Sequence, residues 1–223
     1  MKYKKLTCFI LIVLCFLFVP ILGGCSNNMQ TKTTVFPENS IGNLTIFAQN
    51  NVKDSLPMLF NLGHSFLTFE NTSGVPQKIA SYTVLPNETI CLGTWSISSH
   101  FGVWFNLEYN YHSIFNRYEG RVSVTKGITE QNLQTITEFI YLNDTWSPIK
   151  NCSYFAVNLW NEIAEDEEKL DTYWIYSPSK VIKNLKQFKN YEVNKPMQSN
   201  KVFGYFSNST YVSFTMQGDY EYV

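Results

Sequence analysis

Basic residues are nowhere concentrated in this chain. Its 223 residues carry 17 Lys+Arg against 18 Asp+Glu, a net charge of −1. Lys2, Lys4 and Lys5 sit at the N-terminus with no acid among the first 24 residues, so the remainder stands at −4. Binding of phosphates by counterion release needs clustered Lys and Arg. The nearest approach, Lys180 to Lys189, mixes lysines with apolar residues and reads as an exposed amphipathic helix, so no nucleic acid partner is expected. Histidine is scarce too: His64, His100 and His112 have no ligand spacing, and the acidic run Glu165 to Glu168 reads as a solvated helix end. There is no Gly-rich phosphate loop, no Gly-x-Ser-x-Gly elbow and no internal repeat. No metal and no cofactor are expected.

The one long apolar run is at the start. Leu6 to Leu22 is uncharged and follows the three lysines; Gly23-Gly24-Cys25 and the polar Ser26-Asn27-Asn28 come next. A positive head, an apolar stretch and small residues before a cut describe an export signal. Leu22-Gly23-Gly24-Cys25 resembles the bacterial lipobox, whose cysteine receives a diacylglyceryl group before cleavage. The reading is a signal peptide at 1–24, a lipid anchor on Cys25, a tether over 25–40 and a domain over 41–223. That implies a membrane partner through Cys25 and a location on the extracytoplasmic face of the cell membrane. A retained spanning anchor is the alternative, since about 17–25 apolar residues can cross a bilayer; Pro20 and the Gly pair weigh against it. With Cys8 and Cys15 in the leader and Cys25 modified, only Cys91 and Cys152 remain in the domain. That is no disulfide framework, although one bridge between them is open to an exported protein.

Within the domain, strands are expected at Leu44–Ala48, His64–Glu70, Gln77–Val84, Thr89–Ser96, Gly102–Tyr109 and Arg121–Lys126. Gln77–Val84 is the natural antiparallel partner of His64–Glu70 across the turn Asn71–Gly74. Asn50–Leu62 is ambiguous, with a helical turn near Pro57. A helix capped by Thr129 runs through Ile140, and a second begins near Cys152 with Phe155, Ala156, Leu159, Trp160 and Ile163 in one apolar stripe. Ser177-Pro178 opens a third, Ser177 as cap and Pro178 at the first helical position. Strands near Val202–Phe206 and Tyr211–Met216 close the chain. Strands, helices, then strands predict an α+β domain with an antiparallel sheet packed against helices.

Two positions carry chemistry together. Cys152 opens an amphipathic helix, where free N–H groups and the helix dipole favour a thiolate and can hold an oxyanion. His64, at the start of a strand, can take the thiol proton and return it to a leaving group. Each has a plain alternative: Cys152 lies three residues before Phe155 and fits a core cysteine, and a lone strand histidine is ordinary. Cys91, mid-strand, reads as core. The aromatics from Trp95 to Tyr118 read mainly as core, with Phe101 and Phe115 as candidates for a groove.

Gly63-His64-Ser65-Phe66-Leu67 on a strand, followed far downstream by Asn151-Cys152-Ser153-Tyr154-Phe155-Ala156 at a helix start, resembles the circularly permuted NlpC/P60 (papain-like) superfamily. The resemblance implies a permuted papain-like topology over roughly residues 60–190, with Cys152 as nucleophile and His64 as general base. Relatives place a polar residue on the next strand to orient the imidazole. Ser81 is the best-placed candidate there, with Gln77 and Tyr82 behind it, and departs from the usual His, Asn, Gln or acid. The activity implied is a surface-tethered thiol hydrolase or acyltransferase acting on a peptide, amide or acyl substrate. The alternative is a non-catalytic surface lipoprotein that binds a ligand or protein.

Overall fold

The structure, a computed structural model, describes residues 31–50, 63–198 and 202–214. The leader, Cys25, the first part of the expected tether, the turn near Pro57 and the last residues of the final strand lie outside the described residues.

Eight strands form one sheet in the order β10-β9-β6-β5-β2-β1-β7-β8, every pairing antiparallel. These are β1 (Gly42–Gln49), β2 (His64–Asn71), β5 (Thr89–Ile97), β6 (His100–Phe105), β7 (Val122–Ile128), β8 (Glu192–Val193), β9 (Phe203–Ser207) and β10 (Thr210–Phe214). The period-2 alternation of strands sorts the side chains by face. Leu44, Ile46, Leu67, Phe69, Ile90, Leu92, Val103 and Phe105 join the main core. There they meet three helices, α2 (Glu130–Leu142), α3 (Cys152–Ile163) and α4 (Pro178–Leu185). Phe47, Phe66 and Cys91 point the other way and pack with Tyr109 of α1 (Leu107–Phe115) and with Tyr118. The α+β class with an antiparallel sheet against helices is therefore the observed one.

Local chemistry explains the helix starts. Thr129 and Asn132 form a reciprocal capping box ahead of α2. Asn151 caps α3, its Oδ1 accepting from Ser153 N and Tyr154 N at 3.0 Å each. Ser177 holds the cap position of α4, but its hydroxyl lies 3.1 Å from Ser179 Oγ and takes no helix N–H.

Three expectations are corrected. Gln77–Val84 is not the partner of β2: it is a separate hairpin of β3 (Gln77–Ile79) and β4 (Tyr82–Val84), folded back at Ala80, while β2 pairs with β1 and β5. Gly102–Tyr109 is not one strand: β6 ends at Phe105, Asn106 turns left-handed at φ 62°, and α1 follows. The acidic run is not wholly solvated: Glu168 is buried and bonds Lys126 Nζ, itself buried, which also donates to Ile163 O at 3.0 Å. An aliphatic partner would leave that carboxylate unpaired, so a buried acid needs such a cation.

The same Glu168 fixes the N-terminal segment. Its Oε1 accepts from Val35 N at 2.5 Å; Gly127 N donates to Val35 O at 3.2 Å, and Thr34 Oγ1 to Thr125 O at 2.7 Å. Lys32 makes a parallel bridge with Phe188. Residues 32–35 of the expected tether are thus bound along the domain.

Candidate functional site

The site forms where the sheet parts. The β2–β5 register runs from Glu70↔Thr89 to Leu67↔Leu92 and stops, leaving His64–Phe66 without a partner on β5. Gly63 delivers the chain into β2 at φ +71°, and a Cβ there would sit 2.0 Å from Gln49 O, which only glycine avoids. By alternation His64 faces the α1 side, its ring stacked 5.8 Å from Phe66. Cys152 arrives from the other side at the start of α3, which is pinned to β2 by a 2.9 Å bond between Ser65 Oγ and Ser153 Oγ, both buried.

Cys152 and His64 interact directly and shift one another. Burial alone would push the thiol up, but the His64 charge and hydrogen bond, the Ser65 N–H and the Ser153 hydroxyl bring Cys152 below its ordinary value. Burial would pull the imidazole down, yet Cys152 and then Glu108 raise His64 to about 9. Two such groups titrate as a pair, and each favours the charged form of the other, thiolate beside imidazolium. Cys152 is part-exposed, whereas Cys91 is buried, and both are free thiols. With Ser153 N and Tyr154 N taken by the Asn151 cap, the Cys152 N–H has no acceptor among the described residues. It is a donor available to an oxyanion.

The orienting position is held by Glu108 rather than Ser81. Glu108 Oε1 lies 2.8 Å from His64 Nε2 and accepts Trp95 Nε1–H at 2.7 Å, while Oε2 accepts Cys91 Sγ–H at 3.1 Å. Its side chain is fully buried, and this set of donors compensates the charge. Gly93 makes room for it, since a Cβ would come within 2.0 Å of Oε1 and 3.2 Å of His64 Nε2. Asn106 sets the helix that carries Glu108: its Oδ1 accepts from Cys91 N at 3.0 Å, and its own N donates to Cys91 O at 2.9 Å. The indole of Trp95 also covers the imidazole, centroids 4.1 Å apart. Ser81 lies in the β3–β4 turn, its hydroxyl buried without a partner. It is not brought to His64, because the hairpin that carries it has left the main sheet.

Glu108 is hidden in the sequence because Gly102–Tyr109 has the composition of a strand, whereas the chain turns helical from Leu107. The sequence does carry one signal: Glu108 is the sole acid between Trp95 and Tyr118, and an acid buried in an aromatic run needs a partner. Of the proposed groove aromatics, Phe101 is exposed and Phe115 half-buried. His100 pairs with Asp144 at 2.8 Å, away from the Cys152 contacts, and His112 Nδ1 lies 2.9 Å from Arg117 O. Among the described residues no group of three or more His, Cys, Asp or Glu could hold a metal, and no helix is long and apolar enough to cross a membrane.

Replacing Glu108 by Gln tests the orienting role. The carboxylate helps raise His64 toward about 9, so its neutralisation lowers the pH at which the imidazolium loses its proton. Above that pH the thiolate lacks its counter-charge. Alkylation of Cys152 at pH 8 is expected to fall about tenfold, the equivalent of one unit of pKa. An unchanged pH–rate profile would assign Glu108 to packing alone.

The chain matches no family model, no curated protein and no solved structure. The functional reading therefore stands on the site itself.

Proposed function

We propose that this protein is a surface-tethered thiol hydrolase or acyltransferase of the permuted papain-like (NlpC/P60) type, acting on an amide or ester bond. The observation that carries the reading is His64 set between Cys152 at the start of α3 and the buried Glu108 carboxylate. In this reading the Cys152 thiolate attacks the carbonyl carbon, and the Cys152 N–H steadies the oxyanion. The tetrahedral intermediate collapses, breaking the bond to the amine or alcohol, which leaves with the proton from His64. The acyl group stays on sulfur as a thioester. His64, now neutral, takes a proton from water or an acceptor alcohol, whose oxygen displaces the sulfur. Glu108 holds the imidazole in line throughout, its positioning partner rather than a group that touches substrate. Chain order supports the family reading, because the His64 strand precedes the Cys152 helix. With Cys25 as lipid anchor the domain would act on the extracytoplasmic face of the membrane.

The test is covalent trapping. Full-length protein is incubated with p-nitrophenyl acetate, and the acyl adduct is mapped by mass spectrometry. An acetyl group on Cys152, absent from Cys152→Ser and slow to form in His64→Ala, is the expected result. An adduct confined to other residues, or none, would overturn the proposal.

A further inference from the structure

The helix that carries Glu108 begins without a cap from its own cap residue. The side chain at that position ordinarily accepts from the N–H groups two and three places along. Asn106 stands there ahead of α1, but its Oδ1 accepts from Cys91 N at 3.0 Å and takes no N–H of its helix. The N–H groups left over belong to Glu108 and Tyr109, and both act on the sulfur of Cys91, where they favour its anion. Strand and helix have exchanged partners. The Asn106 oxygen serves β5, and a β5 sulfur serves α1.

The same sulfur holds the carboxylate. Cys91 Sγ–H donates to Glu108 Oε2 at 3.1 Å, and among the described residues that oxygen has no other donor. Oε1 is held separately, 2.8 Å from His64 Nε2 and 2.7 Å from Trp95 Nε1. Cys91 is fully buried, and burial followed by the Glu108 charge pushes its thiol well up. The S–H donor therefore persists across the range in which Cys152 and His64 titrate. A thiol packs as a small apolar group yet both donates and accepts. Valine can fill much the same space and does neither.

We propose that Cys91 is a positioning residue, fixing the second oxygen of Glu108 and the start of α1 so that the first oxygen meets His64. The role rests on the reading of Cys152 and His64 as a reactive pair. Without the sulfur, the Glu108 and Tyr109 N–H groups lose their acceptor, and the Glu108 carboxylate at the same helix start can turn to them. It then turns away from His64, whose imidazolium loses part of its support. Tyr109, Tyr111 and Tyr118 also face Glu108, but burial raises all three phenols, so none adds a charge in that range.

The test follows iodoacetamide alkylation of Cys152 against pH in the full chain, with the adduct mapped by mass spectrometry and the urea midpoint read alongside. The step that marks loss of the His64 proton falls at about 9 in the unaltered protein. Cys91→Val should move that step down by roughly one pH unit. Cys91→Ser, which keeps a donor and an acceptor, should restore most of it. A valine variant with a lowered urea midpoint and the unaltered step would make Cys91 a packing residue and overturn the inference. Equal shifts in the valine and serine variants overturn it too, because the donor would then be irrelevant. Infrared spectra supply a check that needs neither variant to fold. An S–H stretch is lowered by a bond to carboxylate, and Glu108→Gln should raise it; a band that does not move overturns the role. An unaltered protein with no His64 step would sink the Cys152–His64 pair and this inference with it. A step that valine leaves in place sinks the role of Cys91 alone.

Discussion

Alkylation of Cys152 by iodoacetamide at pH 7 is expected to slow by roughly 10- to 100-fold when His64 becomes alanine. An ordinary thiol, with a pKa of about 8.5, is only a few per cent thiolate at that pH. In the folded protein burial works against the anion, and His64 is the largest influence opposing it. Its removal leaves the Ser65 N–H and the Ser153 hydroxyl against the burial, so the thiol rises. The gain of a more basic and more nucleophilic sulfur offsets part of the loss, which is why the range stops short of the full change in thiolate fraction. The pH profile gives the sign. In the unaltered protein the reactive pair persists from the lowered Cys152 value up to about 9, where His64 loses its proton. Below that window the thiolate is protonated; above it the imidazolium is gone. In His64→Ala a single step at higher pH should replace this window. Cys91 supplies an internal reference, since burial and then the Glu108 charge push its thiol well up, and it should stay unlabelled in both proteins. Identical rates and profiles in the two would leave Cys152 a core thiol.

The halves of this site differed in legibility for a physical reason. Cys152 and His64 stand at element starts, where sequence carries local signals: Asn151 as cap, an apolar stripe behind the cysteine, Gly63 ahead of the strand. Those signals depend on neighbours within one turn, and the structure keeps them. Glu108 depends on contacts that are distant in sequence, with His64 on β2 and with Cys91, Gly93 and Trp95 on β5. Its helix is short, and aromatic residues favour strands in general, so propensity pointed the wrong way. Only the buried Asn106, left-handed and bonded to Cys91, breaks the strand there. Ser81 followed from the assumption that consecutive strands pair. The sheet interposes none of the β3–β4 hairpin beside β2, and β5 takes that place. The coarse α+β class survived these errors, because it needs only the kinds of element and not their neighbours.

Lys126 shows the same limit at the other end of α3, with a larger effect on stability. Its replacement by alanine is expected to cost about 3–5 kcal/mol, the range for removing one partner of a buried ion pair. The cost comes from what remains: Glu168 is about as buried as the hydrophobic core, and water cannot take over from the ammonium. Ile163 O would also lose its donor at the end of α3. Replacing both Lys126 and Glu168 by Met should recover part of the loss, since a buried pair can often be exchanged for apolar residues. Recovery is incomplete here because Glu168 also accepts from Val35 N and Glu165 N, two donors that methionine leaves unpaired. Urea titration measures the three stabilities, and proteolysis near Lys32 reports release of the N-terminal segment. If Lys126→Ala unfolds at the urea midpoint of the unaltered protein, the pair does not hold that segment. If it is destabilised and clipped first before Val35, the buried pair is what binds the expected tether to the domain.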